Sequence, residues 1–379
     1  MAVEARSQHR GFGRVTDCGD AALHFTAGVQ LLDAGDFAGA EEALRCALEL
    51  RPGHGQTHYK LANAYKELGK LAEAEQQYLA ALALDPDHAE AHNNLGASLQ
   101  LMGRAEAAQA SYRRAIALKP GLPQPYLNLG RLLQQMDKAG AAEACYVQAL
   151  ELGVEPDVFQ HLLDAVRGAS TAQAPSAYVR ATFDGFAQQF DRHLVDTLDY
   201  HIPELLSSAV RALSPPAQMD ILDLGCGTGL CGVRMRDLAR RLAGVDLAPK
   251  MIELARSRAC YDELVCAEIG QYLPGLADSS FDLVVAADVL IYIGDIGQVF
   301  SEVARVLRCF GWFAFSIEQP GQACDSYRLE ASGRYAQSLA YVRRLARAQG
   351  LAERSCREVA IRKHGAQALP GQLLILQKR

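Results

Sequence analysis

The sequence predicts two architectures in one chain: an all-α helical repeat array, followed by an α/β domain built on a doubly wound, mostly parallel sheet. Two observations carry this prediction. Pro52, Pro86 and Pro120 stand 34 residues apart, a spacing typical of repeated helical units. Further along, residues 221–230 read ILDLGCGTGL, which predicts a buried strand that runs through a glycine-rich turn into a helix.

Length and composition agree with two globular domains. The chain has 379 residues, of which 50% are apolar and 22% charged, enough for two cores. A net charge of −6 gives no basis for a nucleic-acid partner. The N-terminus lacks a hydrophobic signal region and no long apolar run occurs, so we expect a cytoplasmic chain without a membrane partner. Ten cysteines without CxxC pairs predict neither disulfides nor a metal site.

Four units aligned on the prolines cover residues 21–156, namely Ala21–His54, Gly55–His88, Ala89–Leu122 and Pro123–Pro156. Each has a small residue (Ala40, Ala74, Ala108, Ala142) and, four positions later, Leu44, Tyr78, Tyr112 or Tyr146. This pattern resembles the tetratricopeptide repeat, a helix–turn–helix unit. Residues 157–168 are expected to form a closing helix. The predicted array therefore spans 21–168, and the small, polar, proline-bearing segment 169–176 is interpreted as a linker.

Repeat arrays of this kind mostly bind a protein or peptide on the face formed by the first helix of each unit. That face carries Tyr59, Asn63, Asn94 and Asn128, the partner-binding candidates, together with Phe25, Val29, Asn93, Leu127 and Arg131. Asn94 and Asn128 occupy equivalent positions, and similar asparagines of the O-GlcNAc transferase array bind the backbone of an extended peptide. The alternative is an array that only dimerises or packs on its own catalytic domain.

Carboxylates surround the glycine turn. Asp223 stands two residues before Gly225, where it could bind a ligand's ammonium group. Asp246 ends a second short strand about 20 residues further on, the position from which an acidic side chain conventionally binds ribose hydroxyls. The apolar segment Phe281–Leu290 predicts another strand, which stops at Asp288. A nucleotide-like cofactor is therefore expected against this turn.

With these motifs the last 200 residues or so resemble the class I S-adenosylmethionine-dependent methyltransferases, whose Rossmann-like fold opens with a motif similar to DLGCGTG. The resemblance implies that S-adenosylmethionine is the cofactor and S-adenosylhomocysteine the product. It places the methionine part of the cofactor at the turn, the ribose at Asp246, the adenine near Leu247 and Met251, and the sulfonium beside Asp288. The full set of implied cofactor residues is Asp223, Gly225, Cys226, Gly227, Gly229, Asp246, Leu247, Met251, Glu268, Ile269, Ala287 and Asp288.

The methyltransferase domain is expected to span 177–379 and to open with a lid helix. Phe183, Phe186, Phe190 and Leu194 recur at helical spacing there. Tyr178, Phe186 and Phe190 are the candidates for contact with cofactor or substrate. Together with the array, this segment and the C-terminal stretch resemble bacterial predicted methyltransferases that contain tetratricopeptide repeats.

Methyl transfer from a sulfonium is an in-line displacement that positioning can accelerate, and a base is needed only if the acceptor arrives protonated. Asp288, Tyr292 and His193 are the candidate catalytic residues. Other residues expected on the acceptor side are Glu318, Tyr327, Arg334, Tyr335 and His201. Arg334 and Arg362 are either partners for a carboxylate substrate or solvated surface residues. The Asn-Pro-Pro-Tyr and Pro-Cys motifs of nucleic-acid methyltransferases do not occur.

We therefore expect methyl transfer to a protein, peptide or carrier-bound acceptor that the repeats help to recruit. One alternative is a methyltransferase for a free small molecule, with a carboxylate among the candidate acceptors, whose repeats serve assembly. The other is a non-enzymatic repeat adaptor that senses S-adenosylmethionine. The resemblance implies an odd-numbered sheet that closes with an antiparallel C-terminal strand. Strands are expected near 220–225, 244–247, 263–267, 281–287, 312–318, 357–362 and 372–377.

Overall fold

A computed structural model describes residues 20–184, 200–364 and 367–379. The chain divides into two compact units, one ending at Leu132 and the other running from Leu133 to Arg379. Across the described residues, no helix combines the length and apolar character that a membrane span requires. The predicted domain boundary at residue 168 stays a prediction.

The N-terminal unit consists of helices that pack in successive pairs. These are α1 (Ala21–Asp33), α2 (Phe37–Leu50), α3 (Gly55–Glu67), α4 (Leu71–Leu84), α5 (Ala89–Leu101) and α6 (Ala105–Leu118), and α7 (Pro123–Gln135) crosses the division between the units. Asp20 and Asp36 cap α1 and α2, because each side chain accepts a hydrogen bond from a backbone N–H of the first turn. The predicted repeat positions pack as expected. Ala74 and Ala108 are fully buried, and the rings of Tyr78 and Tyr112 fill the space between helices.

The C-terminal unit begins with helices and continues as an α/β domain. Its first helices after α7 are α8 (Ala139–Glu151), α9 (Pro156–Arg167) and α10 (Ser176–Asp184). The strands are β1 (Met219–Leu224), β2 (Ala239–Asp246), β3 (Glu263–Cys266), β4 (Phe281–Ala286), β5 (Leu307–Glu318), β6 (Tyr327–Leu329), β7 (Tyr335–Gln337), β8 (Leu351–His364) and β9 (Gln367–Lys378). The helices between them are α11 (Ile202–Arg211), α12 (Leu230–Met235), α13 (Pro249–Ser257), α14 (Ile269–Tyr272), α15 (Gly297–Val306) and α16 (Leu339–Ala348).

Seven strands form one sheet in the order β3-β2-β1-β4-β5-β9-β8. The pairs from β3 to β5 are parallel, whereas β9 runs antiparallel to both β5 and β8. This confirms the predicted fold, including the antiparallel C-terminal strand. The strand order reverses between β1 and β4, so the glycine turn after β1 lies at the topological switch point, where open α/β sheets bind their ligands.

Two elements differ from the sequence prediction. The helix after the glycine turn ends at Met235, and β2 begins at Ala239, five residues before the strand expected near 244–247. Sheet pairing prevails here over helix propensity, because Leu242 and Ala243 are fully buried where β2 pairs with β1. The β6–β7 hairpin was not expected, since each of its strands has only three residues.

The turn of this hairpin, Ala331–Gly333, is held by the helices that precede the α/β domain. The Nε2 atom of His161 on α9 donates to the carbonyl of Gly333 at 2.9 Å. The ring of Tyr178 packs at a tilt against His161, with centroids 4.6 Å apart, and its hydroxyl donates to the carbonyl of Ser332 at 3.4 Å. Gln134 of α7 donates to the carbonyl of Ala331 at 2.8 Å. The helical and α/β parts of this unit are thus joined by specific hydrogen bonds.

The predicted linker, 169–176, lies along the α/β domain. The backbone N–H of Ala174 donates to the carbonyl of Tyr292 at 3.0 Å, and Asp295 donates to the carbonyl of Ala172 at 2.8 Å. The hydroxyls of Thr171 and Tyr335 are 2.5 Å apart. These bonds hold the segment against the residues that follow β4.

Candidate active site

The glycine turn after β1 has the backbone that the sequence predicts. Gly225, Gly227 and Gly229 all have positive φ angles, of 64°, 53° and 93°. At Gly225 a Cβ atom would lie 2.3 Å from Cγ2 of Val289, so both the conformation and the close approach require glycine. The N–H of Cys226 donates to the carbonyl of Val245 at 3.0 Å, which ties the turn to β2. Burial raises the pKa of the Cys226 thiol, so this side chain packs as a neutral group.

Asp246 at the end of β2 holds the same turn through its carboxylate. Its Oδ2 atom accepts from the N–H of Gly227 at 2.9 Å, and its Oδ1 atom accepts from the N–H of Ala248 at 2.9 Å. Each carboxylate oxygen can accept a further bond. The residue is half-buried at the carboxyl edge of the sheet, so a ligand with hydroxyl groups could reach it there.

Asp223 near the end of β1 is buried, with 2% of its surface exposed. Its Oδ2 atom accepts a hydrogen bond from the hydroxyl of Tyr261 at 2.7 Å. Burial raises the pKa of Asp223 to about 7, and the neighbouring Asp246 adds to this, whereas the Tyr261 bond opposes it. Tyr261 reaches Asp223 across Gly244, where a Cβ atom would meet the Tyr261 ring at 2.9 Å.

A small apolar cluster lies next to Asp246. Met251 and Ala248 are fully buried and pack with Phe183 of α10, while Leu247 and Ile269 are half-buried nearby in sequence. Glu268, after β3, is held from the segment 169–176. Its Oε1 atom accepts from Gln173 at 3.4 Å and its Oε2 atom from Ser176 at 3.1 Å.

Asp288, just after β4, takes a left-handed backbone conformation with φ of 58°. Such a conformation is uncommon for a residue with a side chain. Here the Oγ atom of Ser316 on β5 stabilises it by accepting the Asp288 N–H at 2.8 Å. The backbone thereby aims Asp288 toward β5 and β8, and Ala287 beside it is half-buried.

Asp288 belongs to a cluster of four charged side chains that we call the arginine–carboxylate cluster: Asp288, Glu318, Arg334 and Arg362. Arg362 bridges the two carboxylates, since one Nη atom donates to Asp288 and the other to Glu318. The Nε atom of Arg334 donates to the same oxygen of Glu318 at 3.2 Å. Glu318 is 3% exposed and Arg362 8%. The interpretation of Arg362 as a solvated surface residue is therefore wrong, because β8 places it inside the domain.

Two tyrosines border the arginine–carboxylate cluster. Burial raises the pKa of Tyr292, and Arg334 and Arg362 act on it in the opposite direction. Burial likewise raises the pKa of Tyr200 well above its ordinary value, with Asp288 adding to the shift. Both phenols are therefore neutral hydrogen-bonding groups near pH 7 and not bases.

Comparison with known proteins decides between the nucleotide-binding classes that use such a turn. A family model described as "Methyltransferase domain" matches residues 222–315. Models of the tetratricopeptide repeat match residues 62–103, 89–121 and 123–152. The chain joins tetratricopeptide repeats to a methyltransferase domain.

Curated relatives match parts of this methyltransferase domain. The malonyl-[acyl-carrier protein] O-methyltransferase of Pseudescherichia vulneris is 32% identical over 163 residues, covering 41% of this chain and 62% of the relative. The biotin biosynthesis bifunctional protein BioHC of Saccharophagus degradans is 31% identical over 153 residues, which is 39% of this chain and 26% of that protein. The chain thus spans about a quarter to three fifths of the length of these relatives.

Solved structures resemble each part of the chain more distantly. The magnesium protoporphyrin IX methyltransferase of Synechocystis, solved with S-adenosylhomocysteine, is 16% identical, covers 54% of this chain and 99% of its own, and has a TM-score of 0.42. A methyltransferase from Mesorhizobium loti is 22% identical with a TM-score of 0.38, covering 45% of this chain and 96% of its own.

The structure of the methyltransferase domain brings together some of the predicted acceptor-side residues and separates others. Asp288, Tyr292, Glu318 and Arg334 are grouped as described. Tyr335 is instead buried beside Thr171, and Tyr327 packs against Tyr335 and Tyr341. Tyr178 is committed to the hairpin turn and His201 is exposed at the start of α11. His193, Phe186 and Phe190 lie outside the described residues.

The partner-binding candidates of the repeats form a continuous chain of side-chain amides. Asn128 donates to Asn93, Asn93 to Asn94, and Asn94 to Asn63, with distances of 3.0, 3.1 and 3.0 Å. Tyr59 accepts a further bond from Asn94 at 3.3 Å. The amides of α3, α5 and α7 are thereby held in fixed orientations. Their role in partner binding stays a prediction.

Sequence reasoning missed two members of the site. Tyr261 lies before β3, and only Gly232 and Gly244, which leave room for its ring, could have indicated it. Tyr200 is buried at the start of α11 and carries no local motif. Gln173 and Ser176 were placed in the linker, whose small polar composition gives no sign of a contact with Glu268.

Proposed function

We propose that this chain binds S-adenosylmethionine at the glycine turn and transfers its methyl group to a protein, peptide or carrier-bound acceptor that the repeats help to recruit. The observation that carries the proposal is the glycine turn at the switch point of the sheet. Asp223 is buried on β1 just before this turn, and Asp246 accepts a hydrogen bond from the backbone of the turn. The residues present fit the cofactor, because a buried carboxylate, a half-buried carboxylate and an apolar cluster follow one another along the carboxyl edge of β1 and β2.

In this proposal Asp223 holds the cofactor's ammonium group directly or through water, and Asp246 accepts from the ribose hydroxyls. Leu247, Met251 and Ile269 pack around the adenine, and Glu268 accepts from its exocyclic amine. Ala287 and Asp288 lie beside the sulfonium. The bound cofactor supplies an activated methyl group. The protein then orients the acceptor and excludes water, for which the buried arginine–carboxylate cluster is suited.

Calorimetric titration tests the cofactor assignment. We expect S-adenosylmethionine and S-adenosylhomocysteine to bind, and NAD not to bind. Asp246→Ala removes the acceptor for two backbone N–H groups and for the ribose, so affinity should fall by about 1–3 kcal/mol. Glu263→Gln is the control. Glu263 lies at the start of β3, away from the carboxyl edge of the sheet, so this variant should bind the cofactor normally. A folded Asp246→Ala variant with unchanged affinity would remove the ribose assignment.

The fixed amides of α3, α5 and α7 support peptide recruitment. The Oδ1 atom of Asn63 accepts from both Tyr78 and Asn94, so Asn63 anchors one end of the amide chain and Asn128 lies at the other end. Combined Asn94→Ala and Asn128→Ala should reduce binding to an array of extended peptides and leave cofactor affinity unchanged. Gln109→Ala on α6 is the control. Equal peptide binding by the double variant would contradict the proposal.

A second candidate is a methyltransferase for a free small molecule. It needs no peptide site on the repeats, whereas relatives named for O-methylation of a malonyl group on acyl-carrier protein support the carrier-bound acceptor of the first proposal. Cofactor binding without methyl transfer to any component of a cell extract would instead favour the sensing adaptor. The cytoplasmic location expected from the sequence is part of the same proposal, and cell fractionation tests it.

A further inference from the structure

The arginine–carboxylate cluster is electrically balanced. Asp288 and Glu318 carry two negative charges, and Arg334 and Arg362 carry two positive ones. Arg362 uses its Nη atoms on both carboxylates, so it compensates charges that burial would otherwise penalise. A methyl acceptor that enters beside this cluster therefore meets no net charge from these four residues.

Arg334 differs from Arg362 in how its donors are used. Its Nε atom is fixed by Glu318, while its two Nη atoms have no hydrogen-bond partner among the described residues. The side chain is 22% exposed, whereas those of Glu318 and Arg362 are 3% and 9% exposed. Arg334 thus presents the open edge of its guanidinium at the accessible side of the cluster. A guanidinium edge of this kind binds a carboxylate with two parallel hydrogen bonds.

Tyr292 is linked to this cluster through the chain, because it ends the helical turn Leu290–Tyr292 that follows Asp288. Its phenol is neutral at physiological pH and can donate a further hydrogen bond. Tyr292 also contacts Phe183, with ring centroids 5.4 Å apart, and Phe183 packs on the Met251 cluster. Arg334 and Tyr292 are thereby connected to the side of the domain where we place the cofactor.

From this arrangement we infer that the methyl acceptor is a carboxylate, held by the open edge of Arg334, and that the product is its methyl ester. This inference rests on the proposed function and names the substrate class. One carboxylate oxygen forms the new bond to the methyl carbon while the carbon–sulfur bond breaks. Its electron pair goes to sulfur, so the sulfonium becomes a neutral thioether and the carboxylate a neutral ester. No proton is released or taken up.

This charge balance explains why the cluster needs no base. The cofactor and the acceptor bring one positive sulfonium and one negative carboxylate to the site. After methyl transfer both groups are neutral. An ammonium acceptor would have to lose a proton before attack. The two carboxylates that could take that proton are already bonded to arginines.

The test uses the full chain, tritiated S-adenosylmethionine and dialysed bacterial extract, with malonyl-pantetheine and its terminal amide as defined probes. Binding of S-adenosylhomocysteine is measured in parallel. We expect label that alkali releases as volatile methanol, and transfer to the carboxylate probe but not to its amide. Cofactor binding without any alkali-labile label overturns the carboxylate inference and leaves cofactor binding intact. Failure to bind S-adenosylhomocysteine contradicts the proposed function itself.

Variants of Arg334 are then assayed for methyl transfer with the extract fraction or probe that accepts the tritiated methyl group. Arg334→Gln should raise KM for the acceptor by about tenfold or more, with a smaller effect on kcat and normal S-adenosylhomocysteine affinity. Arg334→Lys keeps the charge without the fork and should recover only part of the loss. Arg328→Gln, on β6 of the same hairpin and bonded to Gln322, should stay within about twofold of wild type. An unchanged KM in Arg334→Gln overturns the assignment.

Discussion

At the scale of the single residue, the role that we propose for Asp223 in cofactor binding comes at the expense of stability. Its carboxylate is almost fully buried, and burial raises its pKa to about 7, yet the ammonium group of the cofactor is bound best by the ionised form. The hydroxyl of Tyr261 lowers this cost, since it donates to the carboxylate. Without ligand, the folded protein therefore favours the protonated acid more than the unfolded chain does.

The contribution of Asp223 to the stability of the unliganded protein should consequently fall as pH rises from about 4 to 8. In that window the unfolded chain ionises Asp223 freely, while the folded protein still holds a proton up to its raised pKa. A shift from 3.8 to about 7 corresponds to about 4 kcal/mol of lost stability at high pH. Asp223→Asn removes this loss, so thermal unfolding above pH 7 should occur at a higher temperature than in wild type, while cofactor affinity falls.

Asp220 provides a control of opposite sign in the same strand. Arg240 lowers its pKa, and Arg308 acts in the same direction, so its ionised form stabilises the fold above the ordinary carboxyl pKa. Asp220→Asn should therefore lower the unfolding temperature at pH 7. If both variants shifted the unfolding temperature in the same direction, the assignment of a raised pKa to Asp223 would be incorrect.

At the scale of the element, the β6–β7 hairpin owes its position to its turn. Gly333 has a φ of 79°, and a Cβ atom there would lie 2.4 Å from the hydroxyl of Tyr178. Gly333→Ala should lower the free energy of unfolding by about 1–3 kcal/mol, because it combines an unfavourable backbone with this clash. Tyr178→Phe removes the hydroxyl, so Gly333→Ala should cost less in that background. Equal costs in both backgrounds, measured by chemical denaturation, would show that the clash is relieved elsewhere.

Elements differ in how far the sequence predicts them. The strands that enclose the site, β1 and β4, are nearly continuous apolar runs, and the glycines after β1 indicate the turn directly. The short β6 and β7 carry no such pattern, and their pairing depends on contacts with α9 and the segment 169–176. The arginine–carboxylate cluster joins residues from four places in the chain, and Arg362 lies on the antiparallel strand β8. The sequence identifies all four members as candidate site residues, but only the three-dimensional fold shows which of them form ion pairs with one another.

At the scale of the whole molecule, the division between the two compact units falls inside α7. A fragment of residues 123–379 should therefore bind S-adenosylhomocysteine with near-normal affinity. A fragment of residues 177–379 lacks His161 and the segment that holds Glu268 and Tyr292, so it should bind more weakly and unfold at least about 5 °C lower. Calorimetry and thermal unfolding of both fragments check this, and equal behaviour would contradict it.

The bonds of residues 171–176 also bear on how such proteins can be recombined. This stretch has the composition of a spacer, yet Ala174 is bonded to Tyr292 and Ser176 to Glu268, both residues of the proposed active site. Inserting residues here would displace part of the cleft wall and would not merely lengthen a tether. A chimaera that exchanges one repeat array for another should therefore be spliced upstream of α7. In such a chimaera the last repeat stays with the methyltransferase domain, and only the earlier repeats are exchanged.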